Sequence, residues 1–400
     1  MIFTRLTIVI VLVFRGFLNE IPGAAKMKKT YRLGVIGFAH MHVNGLIDAF
    51  DKLSNIEWIA CADTVPDVPS ISSESGTRQY SLKSAHEKTG IPKVYDDYRE
   101  MLDKESLDII IFCPENAKHG EVAEAIAARG IHMLTEKPMA ATLSEALRMV
   151  RAAKANDVSL LVNWPTTWSP AVRKMKLVLD EGLIGNILEV KYRNGASMGP
   201  LAYGQEITDA EKGAEWWHQS EPGGGALLDY CCYGACLARW FIGESAVAAY
   251  GIKANLNSHY GDAEDNAIIT VRFPGALAIL EGSWTTWNVG IPTGPIVYGT
   301  KGTLVAGSRM NDDGRRVPVV EVYTSRGYGK PDEVLEGDPL PEGRDTLARE
   351  FIYHLETGEL PHPTMEMMQN LEAMAILDAG IRSAASGKLE LVNNVTWCIG

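Results

Sequence analysis

Three side chains in the sequence have the chemistry to move a proton. Lys137 stands between Glu136 and Pro138 at the end of a predicted strand, and Asp229 and Tyr233 are four positions apart on a predicted helix. At that spacing two side chains lie on the same helix face. Tyrosine has a reference pKa of about 10, which a nearby ammonium group lowers because it favours phenolate. A Lys137–Tyr233 pair oriented by Asp229 would therefore relay the hydroxyl proton while an alcohol carbon loses hydride.

The same three residues also admit a structural interpretation. Tyr233 would then be an interface aromatic, Asp229 a buried acid with satisfied hydrogen bonds, and Lys137 a surface turn residue. The glycine run at residues 223–225 comes just before them. Glycines at this position would let the start of the helix approach a ligand closely, with its first amides free to bind.

Aromatic residues beside the glycine run could line a substrate site. Trp216, Trp217 and His218 directly precede the run, and flat aromatic faces suit the C–H faces of sugar rings. Packing against a sheet explains them equally well, and the same choice holds for Trp164, Trp168, Trp284 and Trp287. The predicted substrate-binding residues are Lys137, Trp164, Trp217, His218, Asp229 and Tyr233.

The turn from Gly37 to His42 is a candidate nucleotide-binding turn. It follows a short apolar run, and helical spacing of apolar residues comes after it. A dinucleotide fold prefers Gly-x-Gly-x-x-Gly here, because bare backbone can then approach the pyrophosphate at the helix N-terminus. Only Gly37 fits that pattern, since Ala39 and His42 occupy the other two glycine positions. A plain tight turn is the alternative, and His40 and His42 would then be loop or cap residues.

Asp63 favours the nucleotide interpretation. It lies 26 positions after Gly37, at the end of the second predicted strand, where an acidic residue binds the adenosine ribose hydroxyls. A carboxylate there repels a 2′-phosphate, and no Lys or Arg follows until Arg78. We therefore expect NAD, with NADP as the less favoured cofactor. A turn aspartate before Pro66 is the structural alternative.

The elements that position these residues form two groups. Apolar strands and amphipathic helices alternate from residue 31 to 163, which is typical of a parallel α/β sheet covered on both faces. The segment at residues 64–79 is the expected flexible insertion. After residue 164 a helix and a strand are followed by β-type runs at 247–254, 267–273, 276–283, 295–305 and 317–323, and two helices close the chain. The predicted fold is an α/β Rossmann dinucleotide-binding domain at 27–163 and a C-terminal α+β domain at 164–400 with a mostly antiparallel open sheet.

Several segments resemble the Gfo/Idh/MocA oxidoreductases in order and spacing, over about residues 31–392. The matching segments are residues 134–138 (the Glu-Lys-Pro signature), 113–119 (Thr-Pro-x-x-x-His), 223–233 (Gly-Gly-Gly-x-Leu-x-Asp-x-Gly-x-His), 264–266 and 299–302. Tyr233 stands where the family usually has histidine, although a subset has tyrosine.

The resemblance implies a sugar or cyclitol dehydrogenase or reductase with Lys137, Asp229 and Tyr233 as catalytic residues. The cofactor-binding residues that it implies, together with the turn and Asp63, are Gly37, Phe38, Ala39, His40, Asp63, Pro114, Asn116, His119, Glu136 and Lys137. Two alternatives stay open. One is a glycoside-cleaving hydrolase or lyase that retains NAD and oxidises the sugar transiently, and the other is a non-catalytic nucleotide-binding sensor.

Composition limits the classes of partner. Apolar residues make up 46% and charged residues 22% of the chain, as in soluble globular proteins, and the net charge is −12. That charge argues against nucleic acid, which needs basic patches. The six cysteines are too scattered for a disulfide framework or a metal site. We expect no metal, buried free thiols, no membrane partner, and a homodimer or homotetramer formed through the open sheet face, where Ile268, Val271, Phe273, Leu277, Ile279 and Leu280 suggest an apolar surface.

The first 26 residues are excluded from the predicted fold. Residues 6–14 form an apolar run that is too short to span a bilayer. Either the run belongs to a secretory signal with small residues at 23–25, or translation starts at Met27. We favour the internal start and a cytoplasmic protein, with export as the alternative.

Overall fold

The computed structural model describes residues 29–195, 199–200, 207–287, 293–325, 327 and 329–394. The N-terminal apolar run and Cys398 lie outside these residues. Two sheets organise the chain, one of six strands and one of nine. Among the described residues, no helix combines the length and apolar character needed to cross a membrane.

The first sheet is parallel, with strand order β3-β2-β1-β4-β5-β6. This order reverses between β1 and β4, which is where ligands bind in open α/β sheets. Its strands are β1 (Tyr31–Phe38), β2 (Ile56–Ala62), β3 (Lys93–Tyr95), β4 (Ile109–Cys113), β5 (His132–Glu136) and β6 (Leu160–Asn163). Its helices are α1 (Val43–Asp51), α2 (Arg78–Thr89), α3 (Tyr98–Lys104), α4 (His119–Ala127) and α5 (Leu143–Ala155).

Local signals set several of these helix starts. The sequence pattern Thr142-x-x-Glu145 predicts a helix start, and the Thr142 hydroxyl does accept the Glu145 amide at the beginning of α5. Thr77 caps α2 in the same way. Helix α2 was not predicted, because its residues show no amphipathic period, and neither were the short elements β3 and α3. The sequence places Arg78 in the flexible insertion, whereas the structure places it at the first position of α2.

The second sheet has the order β14-β13-β12-β11-β7-β10-β9-β8-β15. Only β7 and β10 pair in parallel, so the expected mostly antiparallel α+β domain is confirmed. Its strands are β7 (Ile187–Gly195), β8 (Ala248–Ala254), β9 (Asn266–Arg272), β10 (Leu277–Ser283), β11 (Ile296–Gly299), β12 (Thr303–Met310), β13 (Arg316–Tyr323), β14 (Glu333–Glu336) and β15 (Glu390–Leu391). Its helices are α6 (Pro170–Asp180), α7 (Asp209–Ala214), a π-helical turn (Leu227–Cys231), α8 (Cys232–Ile242), α9 (Leu347–Thr357) and α10 (Met367–Ser386).

One predicted strand is wrong. The β-type run at 295–305 is two strands, β11 and β12, joined by a tight turn in which the Gly299 amide donates to the Gly302 carbonyl at 2.8 Å. Both flanks of the turn are apolar, so the hydropathy pattern alone does not show the reversal. The sequence analysis also missed β14, which is a short edge strand.

The open face of the second sheet is less apolar than expected. Ile268, Ile279 and Leu277 lie on it and are partly or well exposed. Val271, Phe273 and Leu280 are buried instead. Residues alternate between faces along a strand, so a set chosen only for hydrophobicity mixes the two sides.

The two groups of elements share packing. α9 packs on α1, with the rings of Phe50 and Phe351 6.5 Å apart, and α10 contacts α5 and β6. The chain therefore returns to the first sheet after completing the second. The division of domains at residue 164 stays a prediction.

The contact between α10 and β8 depends on two glycines. A Cβ atom at Gly251 would lie 2.2 Å from the Gly380 carbonyl oxygen, and one at Gly380 would lie 2.6 Å from the Ile269 side chain. The Gly251 amide also donates to the Ser383 hydroxyl at 3.0 Å. The helix therefore lies directly on the strand backbone.

We expect Gly251→Ala to destabilise the protein by about 1–3 kcal/mol, because the added methyl must push the α10 backbone away. Gly307→Ala is the matched control, since a Cβ there would meet nothing within 4 Å. Urea unfolding measures both. Equal midpoints for the two variants would contradict the close contact.

Candidate active site

A buried ion pair joins the two sheets. Lys137 follows β5, and its Nζ atom donates to Asp229 Oδ1 at 2.6 Å and to the Asp229 carbonyl at 3.1 Å. Only 1% of Lys137 is exposed. The ion pair with Asp229 holds the pKa of Lys137 well above its usual value, despite the opposing effect of burial. The ammonium is therefore fixed in place and charged.

Asp229 is held from several directions. It lies in the π-helical turn, a local form that often occurs at functional sites. Its second oxygen, Oδ2, accepts the Trp284 indole N–H at 3.1 Å. Trp284 follows β10, so the carboxylate is oriented by the first sheet through Lys137 and by the second sheet through Trp284.

Tyr233 lies next to this ion pair, as expected from its predicted position on the same helix face as Asp229. Lys137 Nζ is 4.9 Å from the centroid of the Tyr233 ring. The ring stacks on Tyr192 at 6.0 Å and contacts the edge of Trp164 at 5.5 Å. The Tyr233 hydroxyl makes no hydrogen bond to any residue that the structure describes.

The expected lowering of the Tyr233 pKa is wrong for this structure. Burial raises the pKa of Tyr233 well above 10, and the Lys137 charge offsets only part of that increase. The neighbouring charge alone would lower the pKa, but the desolvation of the buried phenol outweighs it. The phenol is therefore protonated at neutral pH.

The glycine run has a different role from the one expected. The amides of Gly224 and Gly225 donate to the carbonyls of Gln219 and Trp217, so they are not free for a ligand. A Cβ at Gly225 would lie 2.3 Å from Glu264 Oε1. That carboxylate accepts the Leu227 amide at 3.1 Å and begins the helix. The glycines thus make room for a capping acid.

The nucleotide turn is covered in this structure. Gly37 has a φ of +83°, and a Cβ there would lie 2.4 Å from the Pro114 nitrogen, so only glycine fits. The Trp216 indole donates to the Ala39 carbonyl at 2.8 Å, and Ala39 is fully buried. The C-terminal part of the chain therefore packs on this turn at Ala39. The sequence could not show this, because Trp216 is 177 positions from Ala39.

Asp63 lies where the sequence predicts, with an unexpected partner. Its Oδ1 atom accepts the amides of Phe38 at 3.0 Å and Thr64 at 2.8 Å, and it pairs with Arg78 at 2.7 Å. Arg78 also pairs with Glu115, which follows Pro114. Within the described part of the chain, Asp63 Oδ2 has no hydrogen-bond donor and can accept one.

The other predicted cofactor residues mostly hold loops together. His119 contacts the carbonyls of Met139 at 2.9 Å and Pro114 at 3.3 Å. The Asn116 amide nitrogen donates to the Gly223 carbonyl at 2.8 Å. Both side chains thus position backbone around the site.

Glu136 is likewise held in place. Its Oε1 atom accepts the Asn163 amide nitrogen at 2.5 Å, and Oε2 lies 3.4 Å from His42 Nδ1. Among the residues described, His40, His42 and Glu136 form a group with possible metal-ligand atoms within 4.8 Å of one another. His40 Nδ1 accepts the His42 amide at 3.2 Å, which leaves the ring proton on Nε2.

The predicted substrate aromatics fall into two groups. Trp164 is buried behind Tyr233, and its indole donates to Asn370 at 2.8 Å. Trp217 packs on His40 with their ring centroids 4.8 Å apart, and His218 contacts Trp284 at 5.4 Å. The ring nitrogens His40 Nε2, Trp217 Nε1 and His218 Nε2 are buried and have no partner among the described residues. Burial lowers the pKa of His218 to about 4, so its ring is neutral.

These residues fit a dinucleotide. Asp63 Oδ2 can accept ribose hydroxyls, Gly37 allows the tight turn that ends β1 against Pro114, and Lys137 lies at the end of β5. The carboxyl ends of parallel strands are the usual site for such a ligand. The unpaired nitrogens of His40 and Trp217 offer donors beside the same edge.

Comparison with known proteins agrees with this geometry. Residues 31–164 match the oxidoreductase family model of the NAD-binding Rossmann fold, and residues 172–305 match the GFO/IDH/MocA C-terminal domain. A D-apiose dehydrogenase from Paraburkholderia graminis is 33% identical to this chain, and the match covers 77% of this chain and 79% of the dehydrogenase. The chain belongs to the Gfo/Idh/MocA oxidoreductase family.

Other members are similar along most of their length. Myo-inositol 2-dehydrogenase from Thermotoga maritima is 26% identical to this Gfo/Idh/MocA protein over 72% of the chain and 81% of the relative. The solved structure of a levoglucosan dehydrogenase with NADH and levoglucosan has a TM-score of 0.68 at 21% identity, covering 92% of this chain and all of that one. The solved structure of an aldose-aldose oxidoreductase from Caulobacter crescentus has a TM-score of 0.69 at 19% identity, and the match covers 91% of this chain and 100% of that one.

Sequence reasoning on this Gfo/Idh/MocA protein missed the contacts of Arg78 and Glu115 beside Asp63. It treated Trp216 and Trp284 only as possible aromatic walls of a substrate site, whereas their indoles donate to Ala39 and Asp229. Arg78 offers one usable signal, because it is the first basic residue after Asp63.

Proposed function

We propose that this protein transfers hydride between NAD and a hydroxyl or keto carbon of a sugar or cyclitol, with Lys137 and Tyr233 moving the proton. One observation carries the proposal: the buried Lys137 ammonium contacts both Asp229 and the Tyr233 ring at the edge of the NAD-binding sheet. A charge held this way can stabilise an oxygen that gains negative charge at the reacting carbon.

The relatives support the substrate class. Their names include an inositol dehydrogenase, a 1,5-anhydro-D-fructose reductase and a D-apiose dehydrogenase. All three names refer to carbohydrates or polyols. The unpaired ring nitrogens of Trp217 and His218 would bind hydroxyl groups of such a substrate.

NAD would lie along the carboxyl edge of the first sheet. Asp63 would accept the adenosine ribose hydroxyls, the turn at 37–40 would receive the pyrophosphate, and Glu136 and Lys137 would flank the nicotinamide end. A bound nicotinamide supplies or accepts the hydride. Trp216, whose indole donates to the Ala39 carbonyl, would lie beside the pyrophosphate.

The protonation states favour a donor role in the free protein. The pKa values of Lys137 and Tyr233 are both raised, by Asp229 and by burial respectively. A charged ammonium and a neutral phenol can each give a proton to a carbonyl oxygen as it is reduced. Alcohol oxidation runs the same transfer in reverse.

A panel of sugars and cyclitols incubated with NAD tests the activity, with reduced nicotinamide read by absorbance. The proposal expects NADH to accumulate with at least one member of the panel. If a glycoside releases free sugar without NADH, the protein is instead the glycoside-cleaving type that retains NAD. Nucleotide binding without turnover on any substrate would leave the sensor interpretation.

We expect Tyr233→Phe to lower kcat about 10²-fold to 10⁴-fold, because it removes the phenolic proton and keeps the ring that contacts Lys137. NAD affinity should not change. Tyr192→Phe is the matched control, since Tyr192 is the stacked neighbour and should retain activity. Equal activity in the two variants would remove Tyr233 from the relay.

The open face of the second sheet also supports self-association. Exposed apolar side chains on neighbouring strands include Ile252, Ile268 and Leu277. We propose a homodimer or homotetramer in which a second copy covers this face. Light scattering should give at least twice the mass of one chain, and Ile252→Glu with Ile268→Glu should reduce it. A monomeric wild-type protein would contradict this.

A further inference from the structure

We infer that Glu115 sets the preference of this protein for NAD over NADP, by holding the Arg78 guanidinium away from the ribose 2′ position. The inference rests on the proposed NAD-dependent function. Neither residue was a predicted site residue. Both lie beside Asp63, the carboxylate proposed to bind the adenosine ribose.

The sequence around Asp63 contains one residue that is typical of NAD binding and one that is typical of NADP binding. An acidic residue after the second strand binds the ribose hydroxyls of NAD, whereas a nearby arginine accommodates the 2′-phosphate of NADP. Asp63 supplies the first and Arg78 the second, because α2 begins with Arg78 next to the end of β2. The contacts of Arg78 determine whether its guanidinium is available to bind a 2′-phosphate.

Two ion pairs and one backbone carbonyl hold Arg78 in place, although its buried Nη2 atom makes no hydrogen bond of normal geometry to the described residues. Its Nη1 atom donates to Asp63 Oδ1 and to the Thr64 carbonyl, both at 2.7 Å, and its Nη2 atom pairs with Glu115. Only 6% of the residue is exposed. The adjoining cavity, lined by Arg78 and Glu115, has a volume of about 10 Å³, which is about enough for one water molecule. A phosphate group cannot reach the guanidinium in this arrangement.

The surrounding charges keep this region negative. Glu215 also acts on Arg78, and Lys118 lies 3.4 Å from Glu115 and 3.7 Å from Asp67. The carboxylates of Asp63, Glu115 and Glu215 thus outnumber the cations Arg78 and Lys118, whereas solvent screens the charge of the exposed Asp67. A dianionic 2′-phosphate would be repelled, while an uncharged ribose hydroxyl would not.

Glu115 is the member of the group whose loss should free the Nη2 end of the Arg78 guanidinium, while Nη1 stays on Asp63 and Thr64. Asp63 is needed for the ribose and is fixed by two backbone amides. Glu115 is held instead by side chains, since its Oε2 atom accepts the Thr64 hydroxyl at 3.2 Å and its Oε1 atom pairs with Arg78. Glu115→Gln keeps the shape and a hydrogen-bond acceptor but removes the charge that holds the guanidinium.

Calorimetric titration of nucleotide-free, full-length protein with NAD and with NADP tests the inference. We expect the wild type to bind NAD more tightly than NADP. Glu115→Gln should improve NADP affinity relative to NAD by about tenfold or more, because a unit charge a few ångströms from a phosphate changes binding at least that much. Its NAD affinity should stay within about threefold of the wild type, which also shows that the variant is folded.

Two control variants separate Arg78 from a general change in charge. Asp67→Asn removes a neighbouring charge that contacts Lys118 and not Arg78, and it should leave the ratio of affinities nearly unchanged. Adding Arg78→Gln to Glu115→Gln should abolish the gain for NADP. If the gain persists in that double variant, Arg78 is not the group released.

The outcomes also separate this inference from the proposed function. Wild-type protein that binds NAD, with an unchanged NADP-to-NAD ratio in Glu115→Gln, overturns the role of Glu115 alone. Wild-type protein that prefers NADP overturns it too. Wild-type protein that binds neither nucleotide overturns the proposed function and the inference together.

Discussion

The buried contact between Lys137 and Asp229 is the interaction on which the site depends. An ammonium and a carboxylate withdrawn from water are stable only when they pair and their remaining hydrogen bonds are satisfied. Here the lysine comes from the first sheet and the aspartate from the π-helical turn that precedes α8. Removing one partner of such a pair typically costs about 3–5 kcal/mol. The pair therefore fixes the relative position of the two halves of the site as well as its charge.

The rest of the site is arranged around that pair. Trp284 orients the second oxygen of Asp229, and the ring of Tyr233 lies beside the ammonium. The capping contact of Glu264 with the Leu227 amide sets where the helix begins, and Gly225 leaves the space for that carboxylate. A residue two positions before β9 thus helps to set the position of Asp229.

Sequence patterns predicted the fold well where interactions between residues close in the sequence determine the structure. Thr142 caps α5 as expected, and the apolar runs marked most strands of the first sheet. The patterns failed where the same hydropathy pattern is compatible with two different structures. The run at 295–305 is a hairpin with apolar flanks, and α2 has no amphipathic period to distinguish it from a loop.

The site itself was only partly predictable. The four-residue spacing of Asp229 and Tyr233 predicted that they share a helix face, and the structure places Lys137 in contact with both. The raised pKa of Tyr233 depends on burial, which no sequence window contains. The cover that Trp216 forms over Ala39 and the contact of Arg78 with Glu115 likewise depend on tertiary packing.

A double-mutant cycle on Lys137 and Asp229, measured as kcat/KM on a sugar that the protein turns over, tests the account most directly. Lys137→Met and Asp229→Asn should each lower kcat/KM about 10²-fold or more, and the combined variant should be no worse than the poorer single variant, because residues that act as a unit are not additive. The combined variant leaves no unpaired buried charge, so its circular dichroism should match the wild type. Losses that multiply in the combined variant, or normal turnover in Lys137→Met, would contradict a catalytic unit built on this pair.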